Sequence, residues 1–383
     1  MSANIQKGPH RLPREPLTKL EPGLPAHWYN DPQHYQRELE LFWYATWIAV
    51  AREEELAAAR DYKVASIGTQ SILIVRHVDN TLRAFHNTCR HRGSILCTED
   101  RGRLTSERIV CPYHAWTYDM DGHLVATPRQ METPDFDRAR FPLHTVAVDT
   151  WGGFVFVNLA GKDAPPLMEA LDDIPAQFAR HGLADLRVGR RIVLEVRANW
   201  KLLLENFYEC FHCPGVHPQF CDIVPAFRAA GAWGLGGDAQ PPEYKPGAKT
   251  LTLDGSARLP PFRGLTAEER NTLYVAQTFR PNLFLNVHPD YVNAHTMFPT
   301  GPESVRMVYD WLFEPGNLPM PEADLEHYVA LWDLTNRQDW DIVGRSQLGI
   351  SSRRYAPGPY SARESIPAAW DREYLRLMGR GTA

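Results

Sequence analysis

The sequence predicts an α+β protein in which a small all-β module precedes a larger domain of antiparallel sheet with helices. Three observations support this fold class: short β-like runs between about 47 and 159, mixed helix and strand patterns after 161, and a long helical stretch near the C-terminal end. A chain of 383 residues is long enough for two hydrophobic cores. We therefore expect an N-terminal segment (1–45) that packs on the larger domain, a β module (46–160) and the larger domain itself (161–383).

The first elements are one helix and a series of short strands. A helix is expected over about 31–47, because Tyr35, Leu39 and Phe42 recur at helical spacing. Short runs rich in β-branched and aromatic residues follow, and turn-forming residues separate them: 71–76, 81–85 and 153–158. This pattern predicts the all-β module.

The larger domain begins with an alternating run. Residues 190–198 are expected to form a strand, and 199–212 a helix. Several strands are predicted between about 272 and 313. Apolar residues then recur every three or four positions over 322–349, which predicts a long helix.

Charge and hydropathy exclude several classes of function. The formal net charge is −5, and both signs are interspersed, so no basic surface for nucleic acid or an anionic membrane is expected. No apolar run approaches the roughly 18–20 residues that a membrane span requires. The first twenty residues lack the apolar stretch of a signal peptide. We expect a cytoplasmic protein, in which the six cysteines are metal ligands or buried thiols.

The β module contains two arms that each offer one thiolate and one imidazole. Cys89 and His91 form the first arm, and Cys111 and His114 form the second after a spacer of nineteen residues. Two thiolates and two imidazoles are the ligands of a Rieske [2Fe–2S] centre, in which histidine raises the reduction potential. The alternative is a zinc site with the same four ligands. Mixed arms favour the cluster, because zinc sites usually pair Cys with Cys. Cys97 has no matching histidine and is expected to be a buried thiol.

A second group of ligands follows in the stretch 199–218. His212 and His217 are five residues apart, and Pro214 and Gly215 between them should end the helix, so that both imidazoles converge on one ion. A carboxylate would complete the facial triad of non-haem Fe(II) oxygenases, which leaves positions open for O₂ and substrate.

Two aspartates of the long helix compete for the third position. Asp339 lies on the largely apolar stripe of that helix, where a carboxylate is costly unless it is paired or bound to metal. Asp341 lies roughly 200° further round the helix and should face solvent. Asp339 is therefore the predicted ligand.

Two further features lie beside His212. Glu209 precedes it by three residues, so its carboxylate is expected to hydrogen-bond the second nitrogen of an iron ligand or of a cluster ligand from a neighbouring subunit. Cys210 and Cys213 form a C-x-x-C motif that could indicate redox chemistry. Their aromatic surroundings favour core packing instead.

With these motifs the sequence resembles the α subunits of Rieske non-haem iron ring-hydroxylating oxygenases, from about residue 28 to 350. The C-x-H and C-x₂-H arms and the stretch E-N-x-x-E-C-x-H-C-x₃-H-P carry the resemblance. It implies these cluster ligands: Cys89, His91, Cys111 and His114. It implies these ligands of a mononuclear iron: His212, His217 and Asp339. Glu209 matches the acidic residue that bridges the two centres between adjacent subunits.

The resemblance also implies a fold, an assembly and a chemistry. A Rieske domain should be inserted near the start of a catalytic domain of antiparallel sheet with helices, in a homotrimer. The spacer after His91 is longer than usual in the family, and we place the excess in a surface hairpin near 100–106. The reaction would be an NAD(P)H- and O₂-dependent monooxygenation of a small molecule. A separate flavin- or ferredoxin-type reductase would supply electrons, because the chain has no G-x-G-x-x-G dinucleotide motif.

Within the family, the local sequence resembles the branch that acts on quaternary ammonium compounds such as glycine betaine, proline betaine, carnitine or choline. Four segments and the glutamate at 209 carry this likeness: 288–291, 310–313, 336–340 and 357–361. Oxidative N-demethylation is therefore expected, and hydroxylation of an aromatic ring or acid is the alternative. An electron-transfer protein that uses only its Rieske module and a structural zinc protein are the alternatives outside the oxygenases.

Overall fold

The chain divides into two units, Trp43–Ala170 and a larger unit that joins Met1–Phe42 to Leu171–Ala383. The computed structural model describes residue 12 and residues 15–229, 243–272 and 274–379. Parts of the predicted N-terminal segment (1–11, 13 and 14) and of the predicted catalytic domain (230–242, 273 and 380–383) lie outside the described residues.

The smaller unit is built from short antiparallel strands. Its strands are β1 (Ile48–Arg52), β2 (Asp61–Ile67), β3 (Gln70–Arg76), β4 (Leu82–His86), β5 (Arg101–Arg103), β6 (Ile109–Val110), β7 (Thr117–Tyr118), β8 (Leu124–Ala126), β9 (Thr145–Trp151) and β10 (Phe154–Asn158). One sheet has the order β1-β10-β9-β4-β3-β2-β5, and a smaller sheet has the order β6-β7-β8. Cys89 and Cys111 lie in the apolar core of this unit together with Trp116 and Tyr118.

The extra length of the spacer lies at the edge of the larger of these two sheets. β5 is exposed and pairs antiparallel with β2, whereas β6 pairs with β7 in the other sheet. The prediction of a separate hairpin near 100–106 is therefore wrong. The segment is on the surface, but its backbone pairs with the free edge of β2 and not with its own sequence neighbour.

The larger unit combines helices with one antiparallel sheet. The helices are α1 (His27–Asn30), α2 (Pro32–Glu38), α3 (Leu167–Leu171), α4 (Ile174–Phe178), α5 (Trp200–Phe207), α6 (Cys213–Val216), α7 (Pro218–Ile223), α8 (Glu269–Thr272), α9 (Glu322–Ile350) and α10 (Ser365–Gly379), of which α3 lies at the boundary of the two units. The strands are β11 (Arg187–Val196), β12 (Val275–Phe279), β13 (Leu283–Val287), β14 (Val292–Gly301) and β15 (Ser304–Phe313), in the order β11-β15-β14-β13-β12.

One face of this sheet is covered by α9. Cross-strand pairing places two rows of side chains on that face, which we call the inner face: Asn286, Asn293 and Trp311 in one row, and Phe284, His295 and Tyr309 in the other. The ring of His295 lies 5.5 Å from the Trp332 ring, and that of Tyr309 lies 6.2 Å from the Trp340 ring. The inner face and α9 therefore enclose the centre of this unit.

A buried ion pair ties the terminal helices to α5. The Asp31 side chain accepts hydrogen bonds from two backbone N–H groups at the start of α2, with Pro32 in the first turn, which begins the helix as expected. At its other end Glu38 meets Lys201 Nζ at 2.5 Å, and both side chains are fully buried. The hydroxyl of Tyr374 in α10 also hydrogen-bonds Glu38. The chain segments before and after the smaller unit are thus joined through one carboxylate.

The fold class is confirmed as a β module with a domain of antiparallel sheet and helices. Two helices are shorter than predicted. The first α-helix ends at Glu38 and is followed by a π-helical turn over Leu39–Trp43. The helix α5 ends at Phe207 and not near residue 212. In the described part of the chain, no helix has the length and apolar character needed to cross a membrane.

Candidate metal centres

The first predicted group of ligands lies on two short loops of the smaller unit. In the first loop, Gly93 N–H donates to the carbonyl of Cys89 at 3.0 Å, and Gly93 has a positive φ of 71°. In the second loop, Ala115 N–H donates to the carbonyl of Cys111 at 3.0 Å. Each loop is closed by its own backbone, so a cysteine and a histidine are held at each tip.

The four predicted cluster ligands are brought together. Cys89 and Cys111 are buried, whereas His91 is exposed and His114 is half-buried. The two imidazole rings lie 4.9 Å apart. Burial raises the pKa of Cys89, and the neighbouring Cys111 thiol adds to the rise. Thiols therefore face the core, and imidazoles face outward.

Two aromatic residues support these loops. The Trp116 ring stacks on the His91 ring at 4.8 Å with an interplanar angle of 7°. The Tyr118 hydroxyl lies 3.3 Å from Cys89 Sγ and accepts a hydrogen bond from Arg90 N–H at 3.0 Å. No sequence pattern indicates the contact between hydroxyl and sulfur.

The donor set fits a Rieske cluster. Within the described residues, the buried Nδ1 atom of His114 has no hydrogen-bond partner, which is costly for a buried polar atom that binds nothing. Two thiols on one side and two imidazoles on the other match the two iron environments of such a cluster. A tetrahedral zinc site would not need this separation of ligand types.

The second predicted group of ligands follows the end of α5. The carboxylate of Glu209 accepts hydrogen bonds from the backbone N–H groups of Phe211 and His212. A side chain that binds the backbone locally competes with helix formation. This explains why the helix ends early. The same carboxylate reaches His212 Nδ1 at 2.5 Å, so one of the two contacts predicted for Glu209 is present within the chain.

The two histidines and Asp339 converge. His217 Nε2 lies 2.9 Å from Asp339 Oδ1, and His212 Nε2 lies 3.4 Å from the same oxygen. One ligand atom from each of the three residues lies within 4.8 Å of the others. Asp341, the competing carboxylate, is 64% exposed and pairs with Arg345 on the outer side of α9.

The other ring nitrogens of the histidines are also held. His212 Nδ1 contacts Glu209, and His217 Nδ1 contacts Gln338 Oε1 at 2.9 Å. These acceptors favour a proton on each Nδ1, which leaves each Nε2 as the ligand atom that faces Asp339. Two imidazoles and one carboxylate in this arrangement fit a facial triad for ferrous iron.

These groups form a charged cluster. Burial opposes a positive charge on His212, but its hydrogen bonds to Asp339, Cys213 and Glu209 raise its pKa to about 12. Burial would likewise raise the pKa of Asp339, but hydrogen bonds from His212 and His217 lower it. A cation is therefore favoured beside the Asp339 carboxylate.

Several residues near this centre make contacts that the sequence patterns do not predict. Asn206 Nδ2 lies 3.3 Å from His212 Nε2, and Gln338 holds His217. Asn206 belongs to the motif that carries the resemblance, although no role is predicted for it, and Gln338 is adjacent to the predicted ligand Asp339. His295 and Tyr309 come from the sheet, and nothing in their sequence spacing connects them with Asp339.

Aromatic rings lie near the ligands, and the Phe220 ring is 6.4 Å from the ring of His217. Phe207, at the end of α5, packs edge-on against Phe284 of the inner face with ring centroids 4.6 Å apart. The Asp339 carboxylate contributes to raising the pKa of the buried Tyr309, after burial itself, so the tyrosine lies within its electrostatic reach. Tyr309 in turn contacts Trp340. The candidate centre thus lies among apolar rings.

Comparison with known families matches both units. Residues 183–380 match the family described as ring hydroxylating alpha subunit (catalytic domain), and residues 46–137 match the Rieske [2Fe-2S] domain. The catalytic-domain match covers more than half of the chain.

Relatives match over most of the chain. The glycine betaine monooxygenase oxygenase subunit of Chromohalobacter salexigens is 32% identical over 372 residues, which cover 88% of this chain and 81% of the relative. The carnitine monooxygenase oxygenase subunit of Escherichia coli is 30% identical, with 87% of this chain and 85% of the relative covered.

Solved structures agree with this assignment. The quaternary ammonium Rieske monooxygenase CntA in complex with L-carnitine has a TM-score of 0.73 at 25% identity and covers 94% of this chain and 96% of that chain. Naphthalene 1,2-dioxygenase from Rhodococcus shares the fold, with a TM-score of 0.67 at 20% identity over 93% of this chain and 94% of that chain. The predicted resemblance is confirmed: the chain belongs to the ring-hydroxylating α subunits and is a Rieske-type non-haem iron oxygenase.

Proposed function

We propose that this oxygenase removes a methyl group from a quaternary ammonium substrate of the betaine type. One observation carries the proposal: the converging His212, His217 and Asp339 lie among aromatic rings, in a chain similar to subunits of glycine betaine and carnitine monooxygenases. Electrons would come from NAD(P)H through a separate flavin- or ferredoxin-type reductase, and O₂ would be the co-substrate.

We propose the same domain bounds that the sequence predicts. Residues 46–160 form the Rieske domain and 161–383 the catalytic domain, to which the N-terminal segment 1–45 belongs. The grouping of Met1–Phe42 with Leu171–Ala383 supports the last point.

In the proposed catalytic centre, His212, His217 and Asp339 hold one ferrous ion. Bound iron supplies the open positions at which O₂ is activated beside the substrate. The chain's own contribution is orientation: Glu209 and Gln338 fix the two imidazoles so that each Nε2 faces Asp339.

In the proposed electron-entry centre, Cys89, His91, Cys111 and His114 hold the [2Fe–2S] cluster. The cysteines are buried and His91 is exposed, which supports electron exchange at the imidazole side. Glu209 is proposed to bridge the two centres between adjacent subunits of a homotrimer. Sedimentation of the purified protein tests the trimer, and a monomeric enzyme with full activity would contradict it.

The surroundings of Asp339 suit a methylated cation. Quaternary ammonium groups bind over aromatic faces, with roughly 0.5–2 kcal/mol for each favourable ring. Phe284 and Tyr309 come from the inner face, and Phe207 and Trp340 from the helices beside it.

The proposed reaction balances as a monooxygenation. One N-methyl C–H bond becomes C–OH, while O₂, two electrons and two protons supply that oxygen atom and one water molecule. The N–CH₂OH product then loses formaldehyde and one proton, and its C–N electron pair stays on the nitrogen as the demethylated amine.

A substrate panel tests the proposal. The loaded enzyme with a reductase and NADH is offered glycine betaine, carnitine, choline and naphthalene, and formaldehyde and hydroxylated ring products are measured. We expect formaldehyde with at least one of the ammonium compounds, at one molecule per O₂ consumed. Ring hydroxylation without formaldehyde from any of them would favour the aromatic alternative.

A further inference from the structure

Three buried N–H groups on the inner face have no hydrogen-bond partner among the described residues. They are Asn286 Nδ2, Asn293 Nδ2 and Trp311 Nε1, and the three residues are completely shielded from solvent. Buried polar groups in native proteins are nearly always paired with protein, water or a ligand. Three unpaired donors of this kind indicate an acceptor that the described chain does not supply.

The three donors belong to one row across the sheet. Asn286 of β13 is the direct cross-strand partner of Asn293 of β14, and Asn293 is the partner of Trp311 of β15. Directly paired residues have their Cβ atoms about 4.5–5.5 Å apart and project to the same side. The three side chains therefore project from one row of the inner face, with Asn293 between the other two.

The amide oxygens of the two asparagines are already engaged. The Tyr274 hydroxyl donates to Asn286 Oδ1 at 3.4 Å, and His295 Nε2 hydrogen-bonds Asn293 Oδ1. Burial lowers the pKa of His295 to about 3, so the ring is neutral and donates as its Nε2–H tautomer. These contacts fix the side on which each amide presents its NH₂ group.

The row lies close to the proposed iron site. It is two residues along the strands from His295 and Tyr309, which is about 7 Å, and the Tyr309 ring packs against Trp340, the residue that follows Asp339 in α9. On α9, Asn336 precedes Asp339 by one turn, and its Nδ2 atom likewise lacks a partner in the described ranges. A methyl group near the iron ligands and an acceptor at the row can belong to one small molecule.

The donors in this row are neutral. At the β11 end, Trp311 pairs with Arg190, whose guanidinium is bound by Glu322. Neutral donors stabilise a carboxylate by charge-assisted hydrogen bonds and do not repel a neighbouring ammonium group. This combination suits a zwitterion with no net charge.

We propose that Asn286, Asn293 and Trp311 bind the carboxylate of the substrate, which makes the preferred substrate a betaine and discriminates against choline. This inference rests on the proposed N-demethylation and assigns the residues of the same site that recognise the carboxylate of a betaine. Choline carries a hydroxyl in place of the carboxylate, so it would leave buried donors without a charged acceptor.

The test uses Asn293→Asp in the loaded enzyme under anaerobic conditions. Aspartate keeps the size of the side chain and the acceptor for His295, but it replaces the unpaired NH₂ group by a carboxylate oxygen. In calorimetric titrations we expect the affinity for glycine betaine to fall by roughly 10- to 100-fold or more, while choline binds no more weakly than before. Asn317→Asp, in the turn before α9, is the control with the same charge change.

A second variant separates the loss of a hydrogen-bond donor from damage to the fold. Trp311→Phe removes one donor without adding charge, and we expect a smaller loss for the betaine, about 5- to 10-fold, with choline unchanged. Unchanged betaine affinity in both variants, or equal losses for the two ligands, would overturn the carboxylate site. Iron content and cluster absorbance are measured on each variant.

The two proposals fail in different ways. If the wild-type enzyme neither binds nor demethylates any ammonium compound, both the proposed function and the proposed carboxylate site are wrong. If it demethylates glycine betaine and choline with equal affinity, the proposed function stands and the carboxylate site alone is wrong.

Discussion

The two candidate metal centres are assembled in different ways. Cys89 and His91 lie on one short loop closed by its own backbone hydrogen bond, and the second arm repeats the arrangement. His217 and Asp339 are separated by more than a hundred residues and meet only because α9 packs beside α6 and α7. The first centre is encoded mainly by local sequence, and the second by tertiary structure.

The two centres also differ in their exposure to solvent. His91 lies at the surface, whereas His217 is 2% exposed. A centre that exchanges electrons benefits from an accessible edge. A centre that handles a reactive oxidant benefits from exclusion of water. The two regions therefore match the order of electron entry and oxygen activation that the family implies.

The largest expected effect comes from removing the ligand that α9 supplies. Asp339→Ala leaves two histidines without their carboxylate, so we expect loss of the mononuclear iron and a fall in activity of more than about 10³-fold. The cluster absorbance should not change. Iron and acid-labile sulfide measured on the same sample separate the two centres.

The control for this variant lies two residues further along the helix. Asp341→Ala removes only an exposed pair with Arg345, so iron content and activity should stay at the wild-type level. Loss of iron from Asp341→Ala alone would show that the wrong carboxylate has been chosen.

The difference between local and tertiary assembly also decides how well each centre can be predicted from the sequence. The two cluster arms are visible as local spacing, and so are His212 and His217. Asp339 is predicted only because it interrupts an apolar stripe on a helix whose period is clear. The α+β architecture follows from similar periodic patterns.

What the sequence does not predict depends on contacts across the fold. The end of α5 at Phe207 is set by the Glu209 carboxylate, which binds the backbone that the helix would otherwise use. β5 pairs with β2 because that strand offers a free edge. The inner-face residues His295 and Tyr309 meet α9 only after the sheet and this helix have packed, so no spacing rule connects them with Asp339.

The next largest effect is expected on the stability of the larger unit, which contains His212, His217 and Asp339. Lys201→Met leaves Glu38 as a buried carboxylate without its partner, so we expect the free energy of unfolding of this unit to fall by about 3–5 kcal/mol. Denaturant unfolding is followed by tryptophan fluorescence. Cluster absorbance reports separately on the smaller unit and should respond less.

The double variant Glu38→Gln/Lys201→Met removes both charges and should recover part of this loss. Arg345→Met, which breaks an exposed pair on α9, should cost about 0–1 kcal/mol. If Lys201→Met costs no more than Arg345→Met, the buried pair does not hold the terminal helices to α5.

Glu209 is expected to affect turnover and not metal loading. Glu209→Ala removes the contact to His212 Nδ1 and the proposed bridge, so activity should fall by at least roughly 100-fold. Both centres should stay loaded, and Glu209→Gln, which keeps an acceptor for His212, separates orientation from charge. Undiminished turnover in Glu209→Ala would refute the bridging role.

The smallest expected effect concerns the candidate cluster centre of the smaller unit, whose ligands lie on two short loops. Tyr118→Phe removes the hydroxyl that lies 3.3 Å from Cys89 Sγ, and hydrogen bonds to ligand sulfur raise the reduction potential of iron–sulfur clusters. A loss of about 1 kcal/mol corresponds to a fall of roughly 40 mV for one electron, which a spectroscopic redox titration resolves. Tyr113→Phe is the control, because Tyr113 stacks on His114 without a hydroxyl contact to either cysteine in the described structure. An equal potential for both variants would show that the Tyr118 hydroxyl does not tune the cluster.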